Sequence, residues 1–151
     1  MIIAVVVVVI VVIAALAGAL MMGGGAKKVV SQFVDRVNQK DAAAAINLTT
    51  AKFSSGYGDA IDNLAWNITS LEQITIIDIE TTKKADLSSA EVSNIENYIN
   101  QTLEPDLGVV VDDYCIVKAT LKFEYHDHDK TDTNNILCVK IDGNWYMDMS
   151  Y

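Results

Sequence analysis

Proline occurs once in this chain of 151 residues, at Pro105, and cysteine twice, at Cys115 and Cys138. A single proline excludes collagen-like and Pro-rich extended segments. Two cysteines exclude a disulfide-dense scaffold and the four-thiolate zinc modules. Basic side chains are the more telling shortage, with 11 Lys and Arg against 20 Asp and Glu, a net charge of −9. Phosphate backbones and anionic headgroups are bound by Lys and Arg that displace counterions, so nucleic acid is excluded as a partner. The acidic balance reads instead as solubility beside an anionic surface.

Charge and amides are also missing between Ile2 and Met22, where every residue is Ile, Val, Ala, Leu, Met or Gly. About 20 apolar residues in helical rise match a bilayer core of about 30 Å. The run is rich in Val and Ile but far exceeds the usual strand length, so it reads as a transmembrane helix or signal anchor over residues 1–22. A cleaved signal peptide is the competing reading. Ala17-Gly18-Ala19 suits signal peptidase, but no basic residue precedes Lys27, and a start at Met1-Ile2-Ile3 suggests that a short charged piece is missing. Residues 23–26 read as a Gly-rich tether, and residues 27–151 provide enough chain for one domain with a core. Lys27 and Lys28 alone flank the run, and the positive-inside rule would place them, with the domain, in the cytoplasm.

Val29, Val30, Phe33, Val34 and Val37 recur at helical spacing and predict an amphipathic helix ending near Lys40. Asp41 is a suitable N-cap for a second helix over Ala42 to Thr49. Ala60, Ile61, Leu64, Ala65 and Ile68 form the stripe of a third, from Asp59 to about Ile68. Glu72 to Thr82, with Ile74, Ile76, Ile77 and Ile79, reads as a strand. Ser88-Ser89-Ala90-Glu91 is a capping box opening a fourth helix whose face is Val92, Ile95, Ile99 and Leu103, stopped by Pro105. From Val117 to Tyr125 apolar and polar residues alternate, the pattern of a half-buried antiparallel strand. Asn135 to Ile141 and Trp145 to Met149 predict a closing hairpin around Asp142-Gly143-Asn144.

The parity of that hairpin favours a three-residue loop, which groups Leu137, Val139 and Ile141 with Trp145, Met147 and Met149. A two-residue loop would set them against Tyr146 and Asp148, mixing charge with apolar groups on one face. The same parity points Cys115 inward and Cys138 outward, and sulfurs on opposite faces predict no disulfide. Helices first, then a curved antiparallel sheet interrupted by one helix, make an α+β fold with one helical layer on one sheet.

Two stretches carry a family resemblance. Val-Val-Ser-Gln-Phe-Val-Asp-Arg-Val-Asn-Gln-Lys-Asp, ending at Asp41, resembles the opening helix of nuclear-transport-factor-like, or cystatin-like, cone domains. Tyr114-Cys115-Ile116-Val117 and Val139 to Asp148 resemble their closing strands. The likeness covers most of Lys27 to Tyr151 and implies helices packed on a curved antiparallel sheet. Small domains of this type and of unknown function sit behind one transmembrane helix on the outer face of Gram-positive membranes. The resemblance therefore implies an extracytoplasmic, single-pass protein, against the vote of the two lysines, and we follow it.

Enzymes of the cone fold, such as ketosteroid isomerase, set an acid or base among apolar groups so that burial moves its pKa. Asp78, which shares parity with Ile74 and Ile76, is the candidate for that place. Tyr57, Tyr98 and Tyr114 are candidate hydrogen-bond donors beside it. The opposing reading turns Asp78 to the surface with Ile77 and Ile79 inward. Tyr125 to Asp132 spaces histidines and carboxylates like a metal loop, but Asp132 stands where a calcium loop needs Gly, and a polar connection between strands is preferred. Trp145 reads as core and Tyr146 as cover for the outer sheet face. No catalytic residue, cofactor or metal is expected. The expected partners are membrane lipid through residues 2–22 and an envelope protein or small molecule for the domain. The expected function is a membrane-tethered extracytoplasmic binding or interaction domain without catalysis. The alternative is a small-molecule-pocket enzyme or receptor of the cone fold.

Overall fold

A computed structural model describes residues 25–151; the apolar run Ile2 to Met22, with the anchor expected there, lies outside the described residues. Among the described residues no helix is long and apolar enough to cross a membrane. Helix α1 spans Gly25–Asn38, so the last two residues of the expected tether, Gly25 and Ala26, are already helical. It buries Val29, Val30, Phe33, Val34 and Val37, the stripe that its spacing predicts. Asn38 closes the helix and fastens it to the sheet. Its Oδ1 accepts from the Ile74 backbone N at 2.7 Å, and its Nδ2 donates to the Ile74 carbonyl at 2.9 Å. Asp41 caps α2, Ala42–Ile46, by accepting from Ala44 N. The helix is shorter than expected, because the chain turns at Asn47 and re-forms as a 3-10 turn over Thr50–Phe53. Helix α3, Tyr57–Asn67, lays Ile61 and Leu64 against the core.

The sheet is a four-stranded antiparallel meander in the order β1 (Leu71–Lys83), β2 (Asp113–Tyr125), β3 (Asp129–Ile141) and β4 (Asn144–Asp148). The α+β architecture, helices packed on an antiparallel sheet, is thus as expected. The single helical layer is not, because the sheet is covered on both faces. On one face Cys115, Val117, Ala119, Leu121, Cys138 and Met147 pack under α1. On the other, Tyr114, Leu137, Val139 and Ile141 pack against Ile95, Ile99 and Leu103.

Those last three residues belong to α4, Ser89–Tyr98, and to the turn after it. The Ser88–Glu91 capping box opens α4 as predicted. Pro105 does not stop the helical path. A π turn over Ile99–Leu103 hands it to a short α5, Glu104–Leu107, and Pro105 falls in the first turn of α5, where its missing N–H costs little. Gly108, at φ 64°, ends it in the left-handed conformation.

With both faces covered, apolar residues need not gather on one side, and the closing hairpin takes the register that parity argued against. Leu137 pairs with Asp148, Cys138 with Met147 and Val139 with Tyr146. The loop is the two residues Asp142 and Gly143, both at positive φ (49° and 79°), as the tight Asp-Gly hairpin turn requires. The cysteine placement is corrected with it. Cys138 does not point outward but lies directly opposite Cys115, both buried beneath α1. Both thiols are free.

Candidate functional site

Asp78 lies exposed on β1. Ile77 is an extra residue in β1, a bulge opposite the Leu121–Thr120 step, and it breaks the parity that joined Asp78 to Ile74 and Ile76. Ile79 turns inward, while Ile77 and Asp78 are exposed. Tyr57, the first residue of α3, donates its hydroxyl to Asn47 Oδ1 at 2.9 Å and ties two helices together. The four candidates therefore do not converge.

Tyr114 sits at the start of β2, buried, and borders a recess of about 210 Å³ with Lys84, Glu96, Asn100, Glu104 and Asp113. Its hydroxyl donates to Glu96 Oε1 at 3.2 Å, and Lys84 Nζ pairs with the same oxygen at 2.5 Å while lying 5.1 Å over the tyrosine ring. The ion pair and hydrogen bond hold Glu96 below its usual range and raise Lys84. Burial first, then the bond to Glu96, raises the Tyr114 phenol. Each charge in this triad already has its partner, and its evident work is to fasten α4 to β2.

Tyr98, the last residue of α4, belongs to a different arrangement. It lines a recess of about 170 Å³ with Thr50, Ser54, Asp106 and Asp148. Ala51, Leu103, Leu107 and Met149 supply apolar wall. The hairpin register places Asp148 here, because as the partner of Leu137 it points to the face covered by α4. The residue is only 4 % exposed. Its Oδ1 accepts from Thr50 Oγ1 at 3.0 Å and from the Ser150 backbone N at 3.1 Å. Its Oδ2 is buried and, among the described residues, has no hydrogen-bond partner. Burial foremost, and next the Asp148 carboxylate within reach of its hydroxyl, push the Tyr98 phenol well above its usual range. Tyr151 lies 5.1 Å from the Tyr98 ring, tilted by 58°. A buried carboxylate oxygen without a donor costs free energy. Asp148 is the residue that sequence reasoning missed. Its signal was the charge that made the two-residue hairpin look wrong.

The histidine loop does not gather a metal site. His126 Nδ1 meets Glu72 Oε1 at 2.8 Å, and His128 Nδ1 turns to its neighbour Asp127 at 2.6 Å while its ring stacks on Tyr125. Among the described residues no three His, Cys, Asp or Glu side chains converge as metal ligands. Trp145 packs on the α1 side, close enough to Gly25 that a Cβ there would enter its indole. Tyr146 meets Phe53 edge-on at 5.0 Å on the opposite face. No family model, curated protein or solved structure matches the chain.

Proposed function

We propose that this chain is a single-pass, membrane-tethered protein whose domain is extracytoplasmic and serves binding or interaction without catalysis. Residues 2–22 contact lipid, and the domain meets an envelope protein or a small molecule. The apolar run ends at Met22 and α1 begins at Gly25, so the domain follows the run within a few residues. That spacing supports a role in holding the domain close to a surface. The long strands β2 and β3, with two bulges in β1 that bend the sheet beneath α1, support a cone-like, nuclear-transport-factor-like domain. The second helical layer of α4 and α5 is a departure from that pattern.

The observation that best supports a binding role is the recess at Tyr98, where the carboxylates of Asp148 and Asp106 meet the apolar walls of Ala51, Leu103, Leu107 and Met149. It equally favours the second reading, a small-molecule receptor or pocket enzyme with a tyrosine in its site. Turnover of a bound compound would separate that enzyme from a binding domain. For the placement, protease added to intact cells is expected to release the domain. Complete protection that ends only when the cells are permeabilised would overturn the outside assignment.

A further inference from the structure

We propose that Cys115 and Cys138 are a disulfide-forming pair, a covalent lock between the two central strands that an oxidising compartment closes. The chain has two cysteines, and the fold makes them each other's neighbours. They are partners in the β2–β3 register and lie on the same face of the sheet, beneath α1. Residues directly opposite in an antiparallel pair hold their Cα atoms about 4.5–5.5 Å apart, inside the range of about 4.4–6.8 Å that a disulfide spans. The side chains converge as well, since the Cys138 thiol is within hydrogen-bonding reach of Cys115 Sγ. Packing alone asks only for two small apolar side chains here; setting both thiols of the chain on one register pair is what a cross-strand link requires.

The bond forms by exchange with a disulfide-bearing donor, either a small disulfide or a dithiol–disulfide oxidoreductase. Cys115 is the entry thiol. Among the described residues it borders a recess of about 440 Å³ beside Ala26 and Trp145, whereas Cys138 is fully buried. The bond from Cys138 holds the Cys115 thiol below its ordinary value, and the same bond, then burial, raises Cys138. The Cys115 thiolate attacks one donor sulfur and expels the other as a thiolate. Cys138 gives up its proton, attacks Cys115 Sγ and expels the second donor sulfur. Two protein thiols are thereby oxidised to one disulfide, and the donor is reduced to two thiols that take up the two protons. Both cysteines are buried in the finished fold, so the exchange takes place while the sheet closes or opens locally on the recess side. An extracytoplasmic domain meets such donors, and in this respect the inference rests on the outer placement. The structure shows the reduced pair.

The test uses the full chain in detergent micelles, reduced, opened in urea and returned to buffer containing either glutathione disulfide with glutathione or excess dithiothreitol. Each product, freed of the reagent, is reopened in urea with iodoacetamide. The dithiothreitol product is expected to take up two alkyl groups and the glutathione product none, with one peptide joining Cys115 to Cys138 in a non-reducing digest. The link closes a loop of roughly two dozen residues, so Tm should rise by about 10 °C over the reduced chain. Cys115→Ala and Cys138→Ala should each abolish that rise. Two alkylated cysteines after glutathione treatment, glutathione held on Cys115 without an internal bond, links between chains, or a Tm no higher than that of the reduced chain would overturn the proposal. The mass and peptide readings need no variant, so they decide the matter even where a variant does not fold. A chain that links in micelles supports the pair; if it is nevertheless recovered with both thiols free from acid-quenched cells, it is the outer placement that fails.

Discussion

Replacing Asp148 by Asn asks whether the buried carboxylate costs the fold stability. Its Oδ1 holds two hydrogen bonds, from Thr50 and Ser150, while Oδ2 is buried without a partner. The amide, turned with its oxygen toward Thr50 and Ser150, keeps both bonds as neutral ones and loses about 1 kcal/mol on each, while its Nδ2 donates to the Tyr98 hydroxyl oxygen beside it. Removing a buried, incompletely paired charge recovers roughly 3–5 kcal/mol. The balance is a gain of about 1–3 kcal/mol, or a rise in Tm of about 4–12 °C for a domain of this length. Thermal and urea unfolding followed by circular dichroism reads it, with an unchanged denaturant slope as the sign that the folded state is the same. Ultraviolet titration of the tyrosines adds a local reading. The Tyr98 phenol should titrate lower in the variant yet remain above its ordinary value, because burial is the larger cause of its shift. A fall in Tm on Asp148→Asn would refute the reasoning, since it would show the charge to be a structural support.

Asn38→Ala should cost about 2–4 kcal/mol in chemical denaturation, because both backbone groups of Ile74 lose their partner and α1 loses its fastening to β1; a change below 0.5 kcal/mol would contradict that role. Gly143→Val should destabilise by about 1–2 kcal/mol, since a β-branched residue is forced to φ 79° in the hairpin turn; unfolding midpoints compared with Gly143→Asn read the difference. Iodoacetamide should label neither Cys115 nor Cys138 in the folded chain and both in urea, as the two thiols are 3 % and 0 % exposed; rapid native labelling of Cys138 would restore the outward placement. The capping box holds the Glu91 carboxyl below its ordinary 4.5 through hydrogen bonds from Ser88. The folded chain therefore binds that proton less readily than the unfolded chain, and the stabilisation is complete above pH 4.5 and lost as pH falls through the depressed value. Ser88→Ala should flatten that part of the stability–pH curve, and an unchanged curve would count against the box.

The helices of the domain were legible because each writes its own periodicity and caps. The Val29–Val37 stripe, Asp41, and Ser88 with Glu91 all act where the sequence puts them. Strand parity was less secure, because it depends on partners. One extra residue, Ile77, turned Asp78 from a pocket candidate into a surface residue. The hairpin misled for a related reason. The argument for a three-residue loop assumed one wet face, whereas α4 and α5 cover the second and allow Leu137, Val139 and Ile141 to be buried there. Tyr98 is legible in the sequence, but Asp148 is not, because a charge on an otherwise apolar face reads as evidence against the register that places it there. Local rules fail most informatively at such positions, where tertiary packing decides which face a side chain takes.

The account's central claim, that the domain is held at a membrane by residues 2–22, is tested most directly by the mass of the chain recovered from alkali-washed membranes. The account predicts a membrane-bound species that still contains Ile2 to Met22. A soluble species whose amino terminus lies just after Ala19 would contradict it, and would make the protein a released domain.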